Sequence, residues 1–227
     1  MEMEIVVPDE VPVMTLPNTA FFPQALLPLH IFEPRYQRML SKVLATNRLF
    51  AVAGLDSRKL DEEGSFEPPH RVVTVGIVRA CQQTENGTSN LLVQGLCRAE
   101  ILGIVAEHPY RVISIRALAS NPGDDPEDNR RLRGELSRLL ALKGEFGAVL
   151  PSELTDFLRT IDDPATFVDL AVFSLCESPA LKQTLLETLD VRTRLELFNR
   201  QLRREVGALR LRQKLQGDLS DNQISDN

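Results

Sequence analysis

The sequence predicts an α+β fold: a partly closed β-barrel with one early helix, followed by an α-helical bundle that ends in a long helix. Up to Leu118 the apolar residues recur in short runs separated by turn signals, without regular βαβ alternation. At Ser120 the composition changes to SNPGDDPEDN. Beyond it, Asp125-Pro126, Asp163-Pro164 and Ser178-Pro179 each set an oxygen-bearing cap before a proline, which is how helices start. The expected division is a barrel over 11–119, a linker at 120–125, a helical part over 126–216 and a polar, disordered tail at 217–227.

Taken in order, residues 1–10 read as a loose end, although Ile5 to Val7 could extend a strand. Val11 to Met14 reads as a first strand. Pro17, Pro23 and Pro28 then break an apolar run, so the chain must run extended along an edge or turn repeatedly. Leu26 to Phe32 offers a short strand, and Glu33-Pro34 opens a helix. Tyr36, Met39, Leu40, Val43 and Leu44 form its apolar stripe, at spacings of three and four. Leu49 to Leu55 is a strand, and DSRKLDEEGSFEPPH is a charged surface loop.

From Arg71 apolar residues occupy both sides of a strand, which implies cover on both faces. Asn86-Gly87 is a hairpin turn signal, and Leu91 begins the return strand. Gly95 and Gly103 suggest bulges where the sheet curls. Ile101–Val105 and Arg111–Leu118 complete the β-structure. The helices are expected at roughly 126–142, 151–160, 164–176, 179–188 and 191–215. At 1.5 Å per residue the last would be about 37 Å long.

LPN-x-x-x-FP-x-x-x-LPL-x-IFEPRY, from Leu16 to Tyr36, resembles the opening of the substrate-binding domain found at the N-terminus of Lon proteases and in free-standing Lon-domain proteins. GIVRACQQTENGTSNLLVQGLCRAEI resembles that family's paired strands, and KQTLLETLDVRTRLELFNRQLRREV its C-terminal helices. The resemblance spans roughly Pro12 to Lys214 and implies a PUA-like barrel that binds unfolded or tagged polypeptides. It also implies a free-standing module, since the nucleotide-binding G-x-x-x-x-G-K-[ST] and the family's serine–lysine protease region have no counterpart here.

A net charge of −6 and a pI near 5.2 argue against a general nucleic-acid or anionic-membrane binder. The acidic MEMEIVVPDE lacks a secretory pattern, and no apolar run has the length of a membrane helix. Cys81, Cys97 and Cys176 are few and scattered, which favours a reducing, cytoplasmic setting over a disulfide framework. No nucleophile elbow occurs, and His30, His70 and His108 lack ligand spacing. The expectation is therefore a non-enzyme with no catalytic residue, metal or cofactor.

Two surfaces compete as candidates for binding. Phe21, Phe22, Pro23, Arg35 and Tyr36 lie on the proline-broken segment and the helix start after it. Of the adjacent phenylalanines one should point outward, because neighbours on an extended chain face opposite ways. Phe32 is expected in the core. Arg35 and Tyr36, part of the EPRY motif, either lock the helix to the barrel or hold a partner's backbone. The other candidate is the last helix, with eight Arg or Lys against Glu196 and Glu205 between Arg192 and Lys214. Arg200, Arg203, Arg204 and Arg210 would form a solvated face or a docking face for a protease, a chaperone or a second copy of the chain. An RNA-binding reading follows from the PUA-like likeness. However, Met1–Leu118 carries eleven basic against thirteen acidic residues, without the surplus RNA requires.

Overall fold

A computed structural model of the chain describes residues 6–60, 66–149 and 151–216. The expected tail, Ile5 and part of the charged loop therefore lie outside the described residues. The strands are β1 (Glu10–Leu16), β2 (Leu26–Ile31), β3 (Leu49–Gly54), β4 (Val72–Gln83), β5 (Ser89–Ala106) and β6 (Val112–Leu118). The helices are α1 (Pro34–Leu44), α2 (Pro126–Glu145), α3 (Ser152–Arg159), α4 (Pro164–Leu175), α5 (Pro179–Glu187) and α6 (Val191–Gln216).

Five strands close into a ring. β1 runs parallel to β3, β3 antiparallel to β4, β4 to β5, β5 to β6, and β6 back to β1. The ring closes because β5 is long enough to serve two partners: Ser89–Glu100 pairs with β4 and Arg98–Ala106 with β6. Register shifts beside Gly95 and Gly103 bend it between those tasks, as the two glycines suggested. β2 stands outside the ring, hydrogen-bonded to the first half of β5, so the six-stranded sheet is a ring with an appended strand rather than a clean barrel.

Alternation fills the barrel. Val11, Val13, Leu49, Ala51, Ala53, Val73, Val75, Ala99, Ile113 and Ile115 pack together inside it. The opposite face of β3, with Phe50 and Val52, is buried as well. The apolar stripe of α1, Tyr36, Met39, Leu40 and Val43, is buried too.

The crossover from β1 to β2 corrects one expectation. Phe21 and Phe22 are both buried, at 1% and 0% exposure. Gln24 donates its N–H to Gly95 O at 2.8 Å and Gly95 returns one to Ala25 O at 3.0 Å, which clamps the segment flat on β5. Phe21 meets Phe173 of α4 edge-on, and Phe22 lies under the Arg98 guanidinium, so each side of the extended chain finds cover. Phe32 is corrected in the other direction: it is 63% exposed. Ile31 turns inward at the end of β2, and alternation sends Phe32 out.

By packing, the chain forms two compact units: residues 1–121 with 168–189, and residues 122–167 with 190–227. The division by composition near residue 120 is therefore not the division by packing, because the later part of α4 and all of α5 belong with the strands. In that first unit Arg98 of β5 forks onto Asp169 at 2.7 and 2.8 Å and donates to Leu186 O at 2.9 Å, all of it buried. In the second unit α2 and α6 run parallel. Asp128 meets Arg192, Leu132 O accepts from Asn199, Glu135 meets Arg203 and Lys143 meets Glu205, with both residue numbers rising together. The predicted caps hold: Asp125 accepts from Glu127 N and Asp128 N, Asp163 from Thr166 N and Ser178 from Leu181 N.

Candidate functional site

Arg35 and Tyr36 come together with residues far away in sequence, in a cleft of about 750 Å³ at one end of the barrel. Its walls are the β1 residues Val13 and Thr15, the start of α1, the Phe66–Glu67 segment and the turn between β5 and β6. Pro34 occupies the first helical position of α1, which sets Arg35 and Tyr36 in its first turn. Tyr36 is buried: its hydroxyl accepts from Thr15 N at 3.3 Å and donates to Thr15 O at 3.4 Å. Burial pushes its phenol above the ordinary range, against the opposing pull of Arg35.

Arg35 stacks over the Tyr36 ring and forks onto Glu67 at 2.7 and 2.8 Å, with its Nε on Glu33. Arg111 holds the same segment from the other side, donating to the carbonyls of Phe66 and Glu67. Two guanidiniums thus hold Glu67 in a left-handed conformation at φ 45° that side chains rarely adopt. Glu33, Glu67 and Glu107 against Arg35 and Arg111 leave the cleft one charge negative. Neither arginine faces it unengaged, so the cleft is poorly suited to phosphate.

Phe21 and Phe22 take no part in this cleft, and Pro23 beside them is half-buried. An exposed apolar row lies instead on β2, which among the described residues pairs only with β5. Its alternate residues Leu26, Pro28 and His30 face solvent, followed by Phe32, with Leu26 at 51% and Phe32 at 63% exposure. His30 stacks on Phe32 and is tied to Asn90 at 2.8 Å. On β5, Leu92 stands opposite Pro28, and exposed Ala80 of β4 opposite Leu92, which extends the row across three strands. Sequence reasoning missed this face, although the signal was present: four outward residues at period two beside a proline that marks an edge.

Of the C-terminal arginines, Arg203 is engaged by Glu135, while Arg200, Arg204 and Arg210 are exposed. Among the described residues no group of His, Cys, Asp and Glu could hold a metal ion, and no helix is long and apolar enough to cross a membrane. Burial pushes the Cys97 thiol up, away from nucleophilic activation.

A family model for the ATP-dependent protease La (LON) substrate-binding domain matches residues 10–204. The Lon protease of Desulfosudis oleivorans is 27% identical over 95% of this chain and 26% of its own length. That of Dictyoglomus thermophilum is 26% identical over 95% of this chain and 27% of its own length. The chain therefore spans about a quarter of the curated relatives it matches. Among solved structures, the N-terminal domain of the Mycobacterium avium complex Lon protease superposes with a TM-score of 0.64 at 20% identity, covering 87% of this chain and 98% of that one. A Lon N-terminal domain protein from Xanthomonas campestris gives 0.60 at 19%, covering 83% and 96%. At these identities the likeness is one of fold.

Proposed function

We propose, from the premise that this chain belongs to the LON substrate-binding domain family, that it is a non-enzymatic module capturing unfolded or partly folded polypeptide on the outward face of β2. The exposed Leu26–Phe32 row carries this reading. Fully burying a leucine or phenylalanine contributes about 1.5–3 kcal/mol. Covering two that are already half-covered yields about 2–3 kcal/mol in all. That is a share of the roughly 8 kcal/mol that micromolar capture requires, with main-chain hydrogen bonds along the strand edge supplying the rest. A free strand edge beside the row suits an extended client. Arg35 and Tyr36 then serve to lock α1 and the Phe66 segment in place, with the cleft as an adjoining polar rim. The adaptor would act in the cytoplasm, alongside a protease or chaperone, and without ATP.

Titration of a carboxymethylated, permanently unfolded polypeptide into the full chain tests this. The expected result is micromolar binding that weakens by about tenfold or more in Leu26→Lys/Phe32→Lys. An unchanged affinity in that variant, or no binding by the unaltered chain, overturns the reading. The RNA alternative finds no supporting surplus of free cations in the cleft. Salt-sensitive binding of a structured RNA would revive it.

A further inference from the structure

Helix α6 has two faces of opposite character. Leu202 and Val206 are buried and Leu209 is half-buried, all on the side that meets α2. With successive residues about 100° apart, Gly207, Ala208, Leu211 and Leu215 fall together on the opposite side. All four are exposed, Leu211 at 57% and Leu215 at 77%, and a Cβ added to Gly207 would meet nothing within 4 Å. Arg204 heads this stripe, with Arg210 and Lys214 along one margin and Arg212 along the other. These four cations are exposed and make no ion pair with any described residue. Glu205, the nearest carboxylate in the helix, is taken by Lys143 at 2.7 Å, and none occurs from Val206 to Gln216.

We propose that this face docks an acidic amphipathic helix of a partner protein, with carboxylates on both margins of its own apolar stripe. Charge complementarity selects that occupant. A second copy would set four unpaired cations against four more. An anionic membrane surface calls for a broad apolar face with bulky or aromatic residues, whereas this stripe is narrow and half of it is Gly207 and Ala208. Nucleic acid would satisfy the arginines but leave both leucines in water. Small residues beside leucines admit the close approach of another helix. The site is independent of the β2 face.

Fluorescence anisotropy on the full chain tests the assignment, using a designed helical peptide with a leucine stripe flanked by glutamates. Its sibling carries lysines in place of the glutamates. The acidic peptide should bind about tenfold or more tightly than its sibling and weaken severalfold as salt is raised. Leu211→Ser/Leu215→Ser should weaken it by about tenfold with an unchanged melting temperature, since both side chains are exposed. Leu26→Lys/Phe32→Lys should leave it unaltered. Equal binding of the two peptides overturns the proposal, as does indifference to the leucine variant. So does tighter binding to phosphatidylserine vesicles, to an RNA hairpin or to the chain itself.

Discussion

Tyr36 shows how one side chain links packing to titration. Its hydroxyl satisfies both backbone groups of Thr15, and burial raises its pKa above the ordinary value near 10. Between the unfolded and the raised folded pKa the unfolded chain holds fewer protons, so this residue's contribution is intact below pH 10 and falls as pH rises through that window. Tyr36→Phe should cost about 1 kcal/mol near neutrality through the lost hydrogen bond. That deficit should shrink above pH 10 in urea unfolding series of the two proteins. A pH-independent difference would refute the account. The EPRY motif made Arg35 and Tyr36 legible as a pair, but not the Glu67 that Arg35 grips 32 residues on, in a loop. Phe21, Phe22 and Phe32 were misread for the same reason. Which side of an extended chain is covered depends on what packs against it, and Phe173 and Arg98 are distant in sequence.

At the scale of elements, α2, α4 and α5 were readable because their starts are local: a capping oxygen and a proline fix each of the three without reference to the rest of the chain. The bends of β5 were readable only in part. Gly95 and Gly103 look alike in sequence, yet a Cβ on Gly95 would stand 2.1 Å from Phe22 O, while one on Gly103 would meet only Ser114 Oγ at 3.5 Å. The first glycine is needed because the crossover backbone lies on it; the second merely accompanies a bulge. Gly95→Ala should therefore destabilise by about 1–3 kcal/mol or more, as overpacking against backbone does. It should also speed hydrogen exchange at the Gln24 amide, which donates to Gly95 O. Gly103→Ala should stay within about 0.5 kcal/mol of the unaltered chain. Equal costs for both, measured by denaturant unfolding, would remove Gly95 from its role as the seat of the crossover.

For the whole molecule, the change of composition at Ser120 and the boundary of packing disagree, and the disagreement has consequences. A fragment that stops at residue 121 keeps every strand but loses Asp169 and the Leu186 carbonyl, the partners of a buried Arg98. It also loses the Phe173 ring against Phe21 and the Gln183 side chain that donates to Val72 O. Leaving one member of a buried ion pair alone costs about 3–5 kcal/mol, a large share of the 5–15 kcal/mol that stabilises an ordinary domain. Fragment 1–121 should therefore be non-cooperative, with poorly dispersed amide signals and exposed apolar surface. Joining residues 168–189 to it through a flexible linker should restore a sharp transition, and Asp169→Ala in the joined fragment should abolish much of that gain. A cooperative melt from 1–121 alone would mean that the strands are self-sufficient and that Arg98 finds other company. The Arg98–Asp169 pair spans 71 residues, and no period or motif in the sequence joins its two ends.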